Sequence, residues 1–273
     1  MKKHFLFICF LGIFIVTSSC SNTDTTPVDT LEQPHEITAT PMPTETINPT
    51  STTTPTDVPP TLTPTMTPFP PFRDDFSQLL EPGWTWVREA RFNWNLVEKP
   101  GFLHIMLDSH QSFEETENIL LRYAPEGNFV IETRVLFTPY SNFQSAGLIV
   151  YQDDSNALFF RRAMCYIPEV PGVCVGNGLY FDNYNKELGV PEAGYSIGPN
   201  FATTTITPSE AYLRLTREGR VYTAFYSSDG DNWITVGRHE SDMFPFYVGL
   251  IASNAFTQPE NADFDYFTIE TMP

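Results

Sequence analysis

Aromatic and planar polar side chains recur in the second half of this sequence, and together they suit the binding of sugars. The C–H faces of a sugar stack on aromatic rings, while its hydroxyl groups need polar donors and acceptors. Strand-like alternation points Tyr151, Arg161 and Arg214 away from the expected core, and Asn156 lies at the adjacent turn. We therefore expect these four residues to line a ligand-binding groove.

The tryptophans are further candidates for sugar platforms. Trp84 and Trp86 are two residues apart, so a strand would place them on one face. Core packing is the competing interpretation, because large aromatic side chains dominate protein cores, and for Trp233 it is the favoured one.

Carboxylates that could hydrolyse a glycosidic bond would have to face each other across a groove. The densest acidic cluster, Glu114, Glu115 and Glu117, is typical of a solvated loop. Asp263 and Asp265 alternate along one predicted strand, where a structural role is favoured. The five histidines are scattered, and no serine lies in a nucleophile-elbow motif. We therefore assign no catalytic residue and expect a protein that is not an enzyme, with an unrecognised acid pair as the alternative.

Hard oxygen ligands occur at two predicted turns, which raises the question of calcium. These ligands are Asp153, Asp154 and Asn156 at one turn and Asp229 and Asp231 at the other. Neither set matches the spacing of a contiguous calcium loop, so turn formation is the favoured interpretation. No cofactor or metal site is predicted, with calcium kept as the alternative.

Cys165 and Cys174 are the two cysteines of the folded region, and they are expected to form a disulfide. Cysteine pairs in exported proteins are usually oxidised to disulfides. Closing this short loop would stabilise the fold by about 2.7 kcal/mol. Two free thiols or a metal pair are the alternatives. No further ligands with zinc-site spacing lie nearby.

The N-terminus has the composition of an export signal. Lys2 and Lys3 precede an apolar run from Phe5 to Val16, which is too short to span a bilayer as a stable helix. Small residues then lead into Cys20, and this approach resembles the lipobox of bacterial lipoproteins, whose cysteine is acylated. We therefore expect residues 1–20 to be a lipoprotein signal with lipidation at Cys20. An ordinary secretory signal is the alternative.

Residues 21–71 are predicted to form a disordered stalk. They contain 17 Thr and 12 Pro and few residues that could build a core. The remaining region, 72–273, is expected to be one domain. From residue 73 onward it carries 13 basic and 27 acidic residues, so its net charge of −14 argues against nucleic acid as a partner. Neutral sugars and cations remain compatible with this charge.

Strand-like segments fill the folded region, and turn signals separate them. The segments run over residues 102–107, 129–137, 146–152, 157–163, 211–216, 221–227, 233–237, 247–252 and 263–270. Hairpin turns are predicted at 153–156, 217–220 and 228–231. In the third segment Leu148 and Val150 share one face while Ile149 and Tyr151 share the other, so both faces are partly apolar. The predicted fold is an all-β antiparallel sandwich whose sheets are covered on both sides or form a groove.

Several segments resemble the concanavalin A-like domain at the C-terminus of family 43 β-xylosidases. The matching segments, spread in order over residues 73–271, lie at 74–76, 84–88, 100–103, 146–154, 212–215, 226–233, 248–250 and 264–267. The resemblance implies a jelly-roll sandwich. It indicates less about function, because this fold hosts lectins, glucanases and accessory modules.

Anchor, stalk and resemblance together predict a lipoprotein held at the cell surface outside the cytoplasm. Its sandwich is expected to be a lectin-like, non-catalytic domain that binds polysaccharide. A glycoside hydrolase and a protein-interaction module of a surface assembly are the alternatives. In family 43 enzymes this domain packs beside a catalytic propeller, for which this sequence has no counterpart.

Overall fold

A computed structural model describes residues 69–107, 109, 113–166, 175–185, 209–254 and 259–273 of the chain. Cys20, the stalk up to residue 68 and Cys174 therefore lie outside the described residues. The described part contains fourteen strands and a single turn of 3-10 helix at Phe113–Glu115. None of the helical structure in this part has the length and hydropathy to cross a membrane.

The strands fall into two antiparallel sheets, which confirms the predicted all-β sandwich. The larger sheet has eight strands in the order β12-β11-β10-β6-β14-β4-β3, and β1 pairs with β14 as well. Its strands are β1 (Phe72–Asp74), β3 (Trp94–Asn95), β4 (Leu103–Leu107), β6 (Phe129–Leu136), β10 (Glu210–Glu218), β11 (Val221–Ser227), β12 (Ile234–Glu240) and β14 (Glu260–Thr271).

The second sheet has six strands in the order β2-β5-β13-β7-β8-β9. These strands are β2 (Thr85–Val87), β5 (Ile119–Tyr123), β7 (Ser145–Asp153), β8 (Asn156–Tyr166), β9 (Val175–Asn185) and β13 (Tyr247–Ser253). The three predicted hairpin turns are present, between β7 and β8, β10 and β11, and β11 and β12.

The main core lies between the two sheets and follows the period-two alternation of the strands. In β10, Leu213 and Leu215 are fully buried, whereas Arg214 between them faces outward. In β7, Leu148 and Val150 belong to this main core. Trp84 and Trp86 also pack against it, so these two tryptophans act as core residues.

The outer face of the six-stranded sheet carries a second, smaller apolar cluster. Its buried members are Ile119, Leu121, Ile149, Ala157, Phe159 and Ile251. The predicted apolar character of both faces of β7 is confirmed, because Leu148 and Ile149 are both buried although they point to opposite sides. Phe113, Tyr151, Tyr184 and Tyr247 pack against this outer cluster.

Candidate functional site

Four tyrosines lie in one register row across the outer face of the six-stranded sheet. Tyr247 on β13 pairs directly with Tyr123 on β5 and with Tyr151 on β7. Tyr151 pairs in turn with Ala157 on β8, and Ala157 pairs with Tyr184 on β9. Directly paired residues point to the same side of a sheet, so the four rings form one line that we call the tyrosine row.

Phe113 fills the gap that the small side chain of Ala157 leaves in this row. Its ring centroid lies 6.3 Å from that of Tyr151 and 5.4 Å from that of Tyr184. Below it, the ring of Phe159 is 4.8 Å away in an edge-to-face contact. The aromatic line is therefore continuous from β5 to β9.

The other half of the row is a stacked pair. The rings of Tyr123 and Tyr247 lie 5.0 Å apart with an interplanar angle of 26°. A hydrogen bond with Tyr123 raises the pKa of the Tyr247 hydroxyl. Tyr123 is 68% exposed, so this end of the row presents a ring to solvent.

Arg88 fixes the segment that carries Phe113. Its guanidinium donates to the main-chain oxygens of Thr116 and Phe113 at 2.7 and 3.2 Å, and to the carboxylate of Asp154. The same carboxylate accepts a hydrogen bond from the Tyr151 hydroxyl at 3.0 Å. Burial, followed by this hydrogen bond, raises the pKa of Tyr151.

A polar cavity of about 390 Å³ adjoins the β9 end of the row. Tyr184 contributes to its lining. Four amide side chains also line it, those of Gln152, Asn156, Asn183 and Asn185. Glu240, Asp242 and Met243 complete one wall, and we call this space the amide cavity. Asn183 and Asn185 flank Tyr184 in β9 and Asn156 precedes Ala157 in β8, so these three amides point to the side of the sheet opposite the tyrosine rings. Planar amides match the groups that a sugar unit needs for hydrogen bonding.

A second cavity of about 480 Å³ adjoins the opposite end of the row. It is lined by Tyr123, Phe244 and Phe246, together with Glu126 and Arg217, and we call it the phenyl cavity. The rings of Phe244 and Phe246 meet edge to face at 5.0 Å, and both are exposed. The segment 240–246 lines both cavities, the first with Glu240 to Met243 and the second with Phe244 to Phe246.

The structure brings together only part of the predicted groove. Tyr151 lies in the tyrosine row, whereas Asn156 lines the amide cavity on the opposite side of the sheet, because Ala157 is the residue paired with Tyr151. Arg161 is on the same face as Tyr151, but four residues beyond Ala157 along β8, about 13 Å from the row. Arg214 lies on the other sheet, so the single groove predicted from these four residues is wrong. Alternation gives the side of a strand that a residue occupies, but not the sheet to which the strand belongs.

Arg161 takes part in a buried polar cluster. Its guanidinium donates to Asp182 at 2.7 Å and to the Ser145 hydroxyl at 3.2 Å. The Ser145 hydroxyl also lies 2.7 Å from that of Ser253. Burial raises the pKa of Asp182, although the charge of Arg161 opposes this effect. The ion pair and its buried location indicate that Arg161 has a structural role in the sheet.

Arg214 belongs to a charged network on the outer face of the eight-stranded sheet. It forms an ion pair with Glu132 at 2.7 Å, and its guanidinium carbon lies 3.7 Å from the centroid of the Trp233 ring. The core position predicted for Trp233 is therefore wrong, because this ring is half-buried beneath an arginine. The network holds cations and anions in pairs.

The candidate carboxylates form ion pairs with basic side chains or hydrogen bonds within turns. Asp263 accepts from Lys99 at 2.9 Å and lies 2.7 Å from Nδ1 of His104, while Asp265 accepts from Arg134 at 2.9 Å. Asp229 accepts from the main-chain nitrogens of Asp231 and Asn232. These hydrogen bonds, those of Asn232 first, lower the pKa of Asp229.

At the other predicted turn, Asp153 accepts from the nitrogen of Ser155 and from the amide of Asn156 at 2.8 and 3.0 Å. These are the hydrogen bonds of turn residues. Within the described ranges, no group of three His, Cys, Asp or Glu side chains is arranged to hold a metal ion.

Cys165 lies in β8 at the edge of the described part, and its side chain is buried. The disulfide to Cys174 and the acylation of Cys20 stay predictions, because Cys174 and Cys20 fall outside that part.

The residues that sequence reasoning missed are Arg88, Phe113, Tyr123, Tyr184 and Tyr247. Each is an ordinary aromatic or basic residue in its own segment. The line they form depends on the pairing of β5, β13, β7, β8 and β9, which alternation within one strand does not specify.

Comparison with known proteins relates this chain to the C-terminal part of xylosidases. A sequence profile of the β-xylosidase C-terminal concanavalin A-like domain matches residues 73–270. A xylan 1,3-β-xylosidase of a Vibrio species is 25% identical over 222 residues, which cover 73% of this chain and 38% of the enzyme. A putative β-xylosidase of Escherichia coli K12 is 26% identical over 74% of this chain and 38% of its own length.

Solved structures support the same fold. The GH43 protein BlXynB of Bacillus licheniformis superposes with a TM-score of 0.59 at 19% identity, over 73% of this chain and 39% of that protein. A GH43B protein from a Bacteroides ovatus xyloglucan locus has a TM-score of 0.54 at 24% identity, over 78% of this chain and 42% of the other. The chain thus spans about two fifths of the length of these relatives.

Proposed function

Because this chain belongs to the family of β-xylosidase C-terminal concanavalin A-like domains, we propose that it binds polysaccharide without cleaving it. Its sandwich then serves as a lectin-like domain, displayed outside the cell on a lipid anchor. The proposal concerns binding alone, since the match covers only about two fifths of the curated xylosidases.

The observation that carries this proposal is the amide cavity beside Tyr184. Asn156 is held in place by the hydrogen bond from its Nδ2 to Asp153, which orients the amide plane. Amide groups can donate to and accept from neighbouring sugar hydroxyls at once. Acidic groups in the same wall, Glu240 and Asp242, can accept further hydroxyl hydrogens.

The anchoring part of the proposal is supported by the N-terminal sequence. A basic start, a twelve-residue apolar run and small residues before Cys20 have the pattern of a lipoprotein signal. Residues 21–71 would then hold the sandwich away from the membrane. A proline-rich segment of this length reaches at most about 160 Å, and a flexible coil about 40 Å.

Capture on insoluble polysaccharide tests the binding function. The full chain, purified in detergent, is incubated with insoluble xylan, cellulose and arabinan, and the bound fraction and the release of reducing ends are measured together. We expect retention on at least one polymer, no release of reducing ends, and loss of retention in Asn156→Ala. Asn232→Ala, which alters an amide at an exposed turn outside both cavities, is the matched control and should be retained. Failure of every polymer to retain the chain would overturn the function.

Anchoring is tested separately in bacterial cells that express the full chain. Metabolic labelling with an alkyne fatty acid should tag the wild-type protein, and Cys20→Ala should remove the label and release the protein from membranes. An unlabelled wild-type protein would contradict lipidation and leave the binding function untouched.

A further inference from the structure

We infer that the tyrosine row is the floor of an extended site for the interior of a neutral polysaccharide chain, which crosses the strands from the β9 end of the row to its β5 end. This inference rests on the proposed function and adds the ligand's shape, direction and charge. A lectin for single sugars or chain ends would need only one or two of the aromatic rings.

The length of the row exceeds what a single sugar requires. It crosses β5, β13, β7, β8 and β9, which is four intervals between neighbouring strands. With strands about 4.8 Å apart, the line from Tyr123 to Tyr184 spans about 19 Å. Several consecutive sugar units are needed to cover this distance.

The row is continuous, and a cavity adjoins each of its ends. Tyr184 belongs both to the row and to the amide cavity, while Tyr123 belongs both to the row and to the phenyl cavity. Phe113 bridges the one position that lacks a tyrosine. A chain laid along the rings would therefore contact aromatic side chains from one end of the row to the other, which suits an internal segment of a polymer.

The chemistry of this surface selects a flat, uncharged ligand. The tyrosine rings offer faces for stacking, which suits sugars. The hydroxyls of Tyr151 and Tyr184 already donate to Asp154 and Glu114, so toward a sugar they serve as hydrogen-bond acceptors. Acidic residues line both cavities, Glu240 and Asp242 at one end and Glu126 at the other. With a domain net charge of −14, a polyanionic glycan would be repelled.

Calorimetric titration of the full chain in detergent with oligosaccharides of increasing length tests this inference. The probes are β-1,4-linked xylo- and cello-oligosaccharides, from the disaccharide to the hexasaccharide, with polygalacturonate oligomers as the charged comparison. We expect affinity in at least one neutral series to rise with length and then reach a plateau, with no binding of the charged oligomers.

Variants at the two ends of the row should respond differently. Tyr123→Ala, at the phenyl cavity, should weaken hexasaccharide binding about fivefold, the effect of losing one aromatic stacking contact, and leave disaccharide binding unchanged. Tyr123→Phe keeps the ring and should bind normally, whereas Tyr184→Ala should weaken every length. Tyr140→Ala, an exposed tyrosine outside the row, is the matched control.

The outcomes separate this inference from the proposed function. Equal affinity for disaccharide and hexasaccharide, with Tyr184→Ala still impaired, would overturn the extended site and leave carbohydrate binding in place. Preference for the charged oligomers would overturn the inferred ligand class. Absence of binding to any oligosaccharide and to any polymer would overturn both proposals.

Discussion

Arg88 and Asp154 are 66 residues apart in the sequence, yet one guanidinium nitrogen of Arg88 donates to both carboxylate oxygens of Asp154, at 2.9 and 2.8 Å. Arg88 itself has a φ of +51°, a left-handed conformation that a non-glycine residue adopts only when its surroundings hold it. The contact joins the segment of Phe113 to the turn next to Asn156. It therefore links the middle of the tyrosine row to the amide cavity.

Replacement of Arg88 by alanine should loosen the segment that carries Phe113. The variant loses hydrogen bonds to two main-chain oxygens and one carboxylate, so we expect the free energy of unfolding to fall by about 2 kcal/mol. Amide hydrogen exchange at residues 113–118 should accelerate, and glycan affinity should fall with it. Arg238→Ala, an exposed arginine on β12, is the control. Unchanged exchange at 113–118 would show that Arg88 does not position this segment.

Asp74 is predicted to be essential for the packing of the N-terminal part of the sandwich. Its buried carboxylate accepts hydrogen bonds from the main-chain nitrogens of Phe76 and Glu81 and from the indole of Trp84, at 2.7 to 2.8 Å. Asp74→Ala leaves these donors unsatisfied and should lower the free energy of unfolding by about 3 kcal/mol in urea denaturation. The neighbouring, exposed Asp75→Ala should change it little, and equal effects of the two variants would contradict the assignment.

Gly249 is predicted to tolerate no side chain. A Cβ at this position would lie 1.9 Å from the main-chain oxygen of Leu120 on the adjacent strand β5. Gly249→Ala should therefore push β5 and β13 apart and destabilise the sheet by about 3 kcal/mol, as measured by chemical unfolding. At Gly178 the nearest atom is 3.8 Å away, so Gly178→Ala is the matched control. A stable Gly249→Ala protein would contradict the close approach of these strands.

Stability at high pH should depend on Tyr222. Burial raises the pKa of this fully buried phenol to about 12. An unfolded tyrosine ionises near pH 10, so the stability contributed by the neutral phenol is complete below about pH 10 and is lost as the pH rises through about 12. Unfolding of wild type and Tyr222→Phe in urea at pH 8, 10 and 11.5 measures this loss, which should be smaller in the variant. Tyr140→Phe is the control, and identical slopes for wild type and Tyr222→Phe would count against the prediction.

Alternation within single segments was sufficient to predict most of the strands and their turns. Strand β11 was predicted with its observed bounds, Val221–Ser227, and the leucines of β10 face the core as expected. Strand β9 was not predicted, because its glycines and asparagines have low strand propensity. It forms because it pairs with β8 over eleven residues. Tertiary pairing overrides local preference in this strand.

The candidate site was less predictable because it is a property of register between strands. The alternation of side chains along β7 placed Tyr151 on an outer face correctly. It could not show that Tyr123, Tyr184 and Tyr247 share its row. The same limit explains the misplacement of Arg214, which occupies the outward side of a strand in the other sheet. The pattern along one strand specifies the face that a side chain occupies, whereas the site depends on which strands are neighbours in the sheet.

The central claim is that polysaccharide binds across the outer face of the six-stranded sheet. Hydrogen–deuterium exchange of the full chain, with and without a saturating concentration of the oligosaccharide that binds best, tests it most directly. We predict protection in 113–123, 151–157, 183–185 and 240–247, and no change around Arg214 and Trp233 on the eight-stranded sheet. Protection confined to the region of Arg214 and Trp233, or unchanged exchange along the tyrosine row in the bound state, would contradict the account.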